Sequence, residues 1–251
     1  MILWFLHQNV MKKVILALVS VKLAALVIFA FLSFPSWQNA NLSTVELTPT
    51  PSTNVKAETE INRPVSEPYT GDLSIFEGES RAENLQIDRV MDVLNIKDGK
   101  TVADIGAGSG WFTVRAAKRV GNSGKVFAVE INQEFINHII DRAEKENYTN
   151  IQTILGTEED PKLPANSVDA VLILKTYHEI GEPVKVLTNL KKSLKKGALV
   201  GIIDKNGSGN DHGINKEVVI DEAKRAGFVL KEEFDFVKGD GMDYFLVFRA
   251  K

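Results

Sequence analysis

Between Val102 and Gly110 the chain reads VADIGAGSG, with glycines at alternate positions directly after an apolar run. Glycines spaced this way let the backbone turn sharply and approach a ligand closely, and a helix starting there offers free N–H groups. Such a loop can hold a nucleotide cofactor. The dinucleotide fingerprint is G-x-G-x-x-G, whereas Gly106, Gly108 and Gly110 give G-x-G-x-G, and Trp111 stands where the third spaced glycine belongs. A pyrophosphate needs that close approach at the helix N-terminus; a cofactor without phosphate does not. About twenty residues after the loop, Glu130 ends a second apolar run, where a carboxylate would receive two ribose hydroxyls. Alone, Glu130 would read as a strand-end charge; together with the loop it is a specific signal.

The elements that must position these residues follow from periodicity. A helical pattern covers Ala82 to Leu94, and Thr101 to Ile105 is a short buried strand. Phe112 to Val120 is helical, Val126 to Glu130 a second strand, and Gln133 to Glu146 an amphipathic helix with Phe135, Ile136, Ile139, Ile140 and Ala143 along its stripe. Ile151 to Leu155 and Val168 to Leu174 are nearly continuous apolar runs, as strands buried on both faces require. Glu182 to Leu194 is helical, Ala198 to Asp204 a fifth strand, and Lys216 to Ala226 a helix stopped by Gly227. Phe228 to Val237 and Asp243 to Arg249 form an antiparallel pair around Lys238-Gly239-Asp240-Gly241. Strand–helix alternation predicts an α/β fold: a doubly wound, Rossmann-like, seven-stranded, mostly parallel sheet with a terminal antiparallel hairpin.

VADIGAGSG followed by VFAVEIN resembles motif I and the following acidic motif of the class I S-adenosylmethionine-dependent methyltransferases. The likeness runs from about Phe76 to Phe248, through Gly156-Thr157-Glu158-Glu159-Asp160 and Leu163 to Val171, and the final strand pair is similar to that fold's reversed hairpin. The resemblance implies S-adenosylmethionine as cofactor. Gly106, Ala107, Gly108 and Gly110 would line its methionine part, and Asp104 would reach its amino group directly or through water. Glu130 would bind the ribose diol, Ile131 would pack on the adenine, and Thr157 or Glu158 would sit at the adenine amino group. For Asp104 the competing role is a loop-bracing carboxylate. Arg81 would pair with the cofactor carboxylate or simply be exposed, and Trp111 and Phe112 would divide between pocket and core.

Methyl transfer from a sulfonium uses an already activated donor, so alignment supplies much of the effect and a base matters only for a protonated nucleophile. Open α/β sheets bind ligands at the carboxyl ends of their strands, here Lys175-Thr176-Tyr177-His178-Glu179. His178 is the candidate base, Tyr177 the candidate for orienting the acceptor, and Lys175 a further candidate contact for the cofactor; the alternative for His178 is to brace the next loop. No Asn-Pro-Pro-Tyr motif is present, and the cysteines of the similar arsenite methyltransferases are absent. The acceptor expected is a small molecule.

Of 251 residues, 44% are hydrophobic and 25% charged, with a formal net charge of −3. The absence of a basic run beyond the N-terminus argues against a nucleic-acid partner. There is no cysteine, which excludes disulfides and thiolate metal sites. His7, His138, His178 and His212 lie far apart in sequence, so no metal is expected. Val14 to Phe34 is long and apolar enough to cross a bilayer. Lys12 and Lys13 precede it and no Lys or Arg follows until Lys56, which predicts the N-terminus inside and the domain outside. Residues 1–35 are expected to be a signal-anchor or cleaved signal peptide at the cell envelope, inner-membrane anchored or exported to the periplasm. Residues 36–71 read as a polar linker and 72–251 as the cofactor-binding domain. Because S-adenosylmethionine is made in the cytosol, a non-catalytic S-adenosylmethionine- or S-adenosylhomocysteine-binding domain is the second reading. An NAD-dependent oxidoreductase is the third, disfavoured by the glycine spacing and the hairpin.

Overall fold

The computed structural model describes residues 63–209, 211–238 and 241–251. Two short helices, α1 (Arg81–Asn84) and α2 (Ile87–Val93), lead into the alternating series. It runs β1 (Thr101–Ile105), α3 (Trp111–Val120), β2 (Lys125–Glu130), α4 (Gln133–Lys145), β3 (Ile151–Leu155) and β4 (Val168–Leu174). It continues with α5 (Pro183–Ser193), β5 (Leu194–Lys205), α6 (Lys216–Arg225), β6 (Phe228–Phe234) and β7 (Asp243–Ala250). The seven strands form one sheet in the order β3-β2-β1-β4-β5-β7-β6. β1 to β5 are parallel, and β7 runs antiparallel between β5 and β6. This is the doubly wound sheet with reversed hairpin that the sequence predicts.

Alternation along the central strands divides the core. Ala103, Ile105, Val171 and Ile173 pack into the cluster on one face, and Val102, Ala170, Leu172 and Leu174 into the cluster on the other. Both faces are covered by helices, which explains why β4 carries the unbroken run VLIL rather than an alternating pattern. The chain crosses from one side of β1 to the other between β3 and β4, so the carboxyl ends of β1 and β4 flank the crevice where such sheets hold ligands.

Three local expectations are corrected. The single helix from Ala82 to Leu94 is broken at Gln86, whose φ of 46° is left-handed. No glycine or proline marks the break; the Gln86 side chain instead donates to the Phe236 carbonyl at 2.9 Å, a tertiary contact that local pattern cannot reveal. The fifth strand begins at Leu194, not Ala198, because its register against β4 shifts between Val168 and Ala170. The linker expected through residue 71 ends earlier. Arg63 pairs with Glu222 at 2.9 Å, and Ser66 is buried, donating from Oγ to the Gly209 carbonyl at 2.8 Å. The stretch from Arg63 is therefore part of the packed domain. Among the described residues no helix is long and apolar enough to cross a membrane; the span expected at residues 14–34 lies outside them.

Candidate active site

A cavity of about 860 Å³ opens at the carboxyl ends of β1, β2 and β4. That lies near the upper end of the range for small-ligand pockets, about 300–1,000 Å³. Asp104, Gly106, Ala107, Gly108, Glu130, Ile131, Thr157, Glu158, Lys175 and His178 all line it. Gly110 and Tyr177 do not, and each has a different task.

The glycine loop is built as its spacing demands. Gly106, Gly108 and Gly110 all have positive φ, 69°, 53° and 75°. A Cβ on Gly106 would stand 2.2 Å from the Thr176 methyl carbon, so β1 and β4 can meet here only without a side chain. Gly106→Ala should lower stability by about 1–3 kcal/mol through left-handed strain and overpacking; a thermal midpoint equal to the parent's would contradict this. Gly110 instead starts α3 and abuts Ile139, where an added Cβ would come within 3.3 Å. Gly110 thus stands at the entry to the helix and does not border the cavity.

Glu130 ends β2 with its carboxylate turned back on the loop. Oε2 accepts from the Gly108 N–H at 3.0 Å, and Oε1 from the Ile131 and Asn132 N–H groups at 2.7 and 3.3 Å. The acid thus fixes the loop as well as facing the cavity. Ile131 beside it remains 44% exposed and forms an apolar part of the cavity wall.

Asp104 is buried and accepts from the Thr113 hydroxyl at 2.6 Å. Burial pushes its carboxyl up to about 7, opposed by the Thr113 hydrogen bond and by the charge of Arg81. Arg81, which also lines the cavity, lies over the Trp111 ring at 4.5 Å and donates to the Phe76 carbonyl at 2.7 Å. Arg115 covers the same indole at 3.8 Å. Trp111 and Phe112 are both buried and both reach the cavity wall. Over the loop, Glu77 accepts from Ser109 Oγ at 2.7 Å and Arg142 Nη1 at 2.6 Å, pinning the turn at Leu73–Phe76 as a cover.

At the other end, His178 is buried, with Nδ1 2.9 Å from Asp204 Oδ1. Asp204 also accepts from the backbone N–H groups of His178 and Lys205, at 3.0 and 2.8 Å. A carboxylate so engaged is an acceptor, so Nδ1 donates to it, and in the neutral ring the lone pair then falls on Nε2. Glu179 lies beside it, its carboxyl raised to about 7 by burial, with the His178 ring in its protonated form and the Tyr69 backbone N–H opposing.

Tyr177 is not an acceptor-orienting group. It is fully buried behind the site, and its hydroxyl donates to Glu222 Oε2 at 3.0 Å. Lys175 borders the cavity, but its ammonium pairs with buried Asp243 at 2.5 Å, so its charge is already engaged. The histidines that look scattered in sequence are not all scattered in space. The His178 and His212 rings meet edge-to-face with centroids 5.8 Å apart.

Sequence reasoning missed Asp204, His212, Glu222 and Ser66. Asp204 alone carried a signal, as an acid at the carboxyl end of a predicted strand. Ser66 joins the others: its N–H donates to the His178 carbonyl at 3.2 Å, and its Oγ accepts from the His212 N–H at 3.3 Å. The stretch from Val65 to Thr70 then runs along the cavity as a strap.

This arrangement defines a class: a Rossmann-like domain whose glycine loop, without the dinucleotide spacing, and strand-end acid border one cavity at the carboxyl ends of the strands. Comparison with known proteins agrees. The family described as "Methyltransferase domain" matches residues 96–229, more than half of the chain. An S-adenosylmethionine-dependent methyltransferase from Aquifex aeolicus superposes with a TM-score of 0.64 at 26% identity, covering 71% of this chain and 98% of that one. A protein-L-isoaspartate O-methyltransferase of Methanococcus aeolicus is 28% identical over 130 residues, 52% of this chain and 59% of its own length. A demethylmenaquinone methyltransferase of Bacillus licheniformis is 25% identical over 113 residues, 45% of this chain and 48% of its own length. The chain therefore spans about half the length of these curated relatives. The [4+2]-cyclase SpnF shares the fold, with a TM-score of 0.58 at 15% identity over 76% of this chain and 88% of that one. This chain belongs to the methyltransferase-domain family, with the class I fold and S-adenosylmethionine as its cofactor.

Proposed function

We propose that the chain transfers a methyl group from S-adenosylmethionine to a small, largely apolar acceptor bearing an ionisable hydroxyl. The observation that carries this reading is His178: Nδ1 is held by a buried carboxylate while Nε2 is left as a base in the cavity that contains the glycine loop. The residues fit the cofactor. Gly106 and Gly108 offer a wall without side chains, Glu130 an acceptor for the ribose diol, and Ile131 an apolar seat for the adenine. Thr157 or Glu158 would meet the adenine amino group, and Asp104 and Arg81 would meet the charged amino and carboxylate groups of the methionine part.

Bound there, S-adenosylmethionine supplies an activated methyl group. The chain's own residues hold the acceptor in line, exclude water and take up its proton at His178 Nε2. Val65, Pro68, Tyr69, Ile180 and Val186 make the acceptor end apolar. That favours the kind of acceptor named in the Bacillus relative over the protein acceptor named in the Methanococcus one. A panel of phenols and quinols, incubated with the full chain and labelled cofactor, should show acceptor-dependent product with at least one member. Cofactor binding without turnover on the whole panel would sink the acceptor assignment.

Asp104 makes the reading pH-dependent. Its carboxyl titrates near 7 in the folded chain against about 3.9 unfolded. Between these values the folded state keeps a proton that the unfolded state releases, so its contribution to stability is full below pH ~4 and lost as pH rises through 7. Only ionised Asp104 attracts the cofactor's ammonium. Cofactor affinity should therefore rise between pH 6 and 8, and Asp104→Asn should flatten that rise while gaining stability over the parent as pH increases. Calorimetry and thermal melts at pH 6 and 8 read both; parallel pH profiles for the two proteins would refute the assignment.

The apolar stretch at residues 14–34 adds a proposal about place: attachment at the cell envelope with the domain outside. A reporter fused after Lys251 tests it, and a cytoplasmic signal would overturn it.

A further inference from the structure

We propose that His178, Glu179 and His212 form a divalent-cation site at the acceptor end of the cavity, matched to zinc or ferrous iron. One ligand atom from each side chain can be chosen so that all three lie within 4.8 Å of one another. His178 Nε2 stands 3.8 Å from Glu179 Oε1, too far for a hydrogen bond. Two ligands held about 2.1 Å from one tetrahedral ion stand about 3.4 Å apart, so these two atoms would close by about 0.4 Å on binding. The binding of this site would need no chemistry from the rest of the cavity; only its consequence for catalysis rests on the methyl-transfer reading.

Three features set these residues apart from a chance cluster. First, His178 has the support typical of a metal-bound imidazole: Nδ1 is hydrogen-bonded to Asp204, which turns the Nε2 lone pair toward the cavity. Second, the two histidine backbones are tied to one residue, since buried Ser66 donates to the His178 carbonyl and accepts from the His212 N–H. The exposed His212 ring completes the set, with a ligand atom within 4.8 Å of the other two. Third, all three residues border the cavity, so the remaining coordination positions would face the acceptor.

Ligand chemistry selects the ion. Two imidazoles and one carboxylate suit zinc or ferrous iron, whereas magnesium and calcium prefer all-oxygen sets. With no cysteine in the chain, no thiolate competes for such an ion. An acceptor oxygen bound to the cation would ionise more readily, because a bound divalent ion lowers the pKa of a coordinated hydroxyl group. With His178 Nε2 bound to the cation, that nitrogen would no longer be free as the base, and the acceptor's proton would pass to solvent water instead.

Calorimetric titration of the untagged full-length chain with zinc chloride, without cofactor or acceptor, tests the site. One ion per chain is expected in the parent. His212→Ala should weaken binding at least tenfold, and Asp204→Asn should weaken it about 10- to 100-fold. His138→Ala, on the exposed face of α4, should leave it unchanged. Thermal melts of each variant establish that it is folded. No uptake by the parent, or zinc binding by folded His212→Ala equal to the parent's, would overturn the proposal. S-adenosylmethionine affinity measured on the same samples keeps this outcome separate from failure of the methyl-transfer reading.

Discussion

Replacing Glu130 with alanine should weaken S-adenosylmethionine binding at least a hundredfold. Two hydrogen bonds from ribose hydroxyls to a carboxylate are each charge-assisted, and such bonds contribute about 1.5–3 kcal/mol apiece. Their loss amounts to about 3 kcal/mol or more, and each 1.4 kcal/mol is a tenfold change in affinity. The variant also loses the acceptor that holds the Gly108, Ile131 and Asn132 N–H groups, so the loop loses its brace as well. Glu130→Gln keeps one amide oxygen and should fall between variant and parent. Calorimetry with S-adenosylmethionine and S-adenosylhomocysteine reads the effect. A folded Glu130→Ala protein within threefold of parental affinity would remove Glu130 from the cofactor site.

The second large effect is expected at His178. A positioned general base contributes about 10²–10⁴-fold to rate, so His178→Ala should lower kcat by that factor. Its S-adenosylmethionine dissociation constant should stay near the parent's, because the Gly106–Glu130 region is untouched. Asp204→Asn acts through His178. It should shift the pH at which the rate falls off on the acid side, an effect that mere loosening of the fold would not produce. Full turnover by His178→Ala with any acceptor that the parent methylates would assign the histidine a bracing role only.

The cofactor half of the site is legible in sequence because it is local. Asp104 to Gly110 and Glu130 lie on adjacent parallel strands, and spacing alone reports strand, loop, helix and strand-end acid. The parallel run of the first five strands follows from the same alternation, and the sequence Lys238-Gly239-Asp240-Gly241 announces the reversed hairpin. The acceptor half is not local. His178 meets Asp204 across the β4–β5 pairing and His212 through a loop held by Ser66, contacts separated by 26 and 146 positions in the hydrogen bonds that make them. Tyr177 shows the limit from the other side. It sits in the motif where an acceptor-facing tyrosine is expected, but the turn at Tyr177–Glu179 buries it against Glu222. Nothing in the spacing tells which of two consecutive residues faces the cavity, since a single turn separates them. Gly110 misleads for a similar reason: a positive φ is needed for helix entry as much as for ligand approach.

The strap at Arg63 to Thr70 also sets the order in which the site is made. Its anchoring bond joins Arg63 to Glu222, 159 positions apart, so it cannot form until α6 has been synthesised and docked. Contacts this distant carry a loop-closure cost that is recovered only after the intervening chain has folded. The glycine loop and Glu130, only 22 positions apart at their hydrogen bond, can assemble long before. A nascent chain would therefore acquire its cofactor half early and its acceptor half last, with the first described residues to leave the ribosome among the last to find their place.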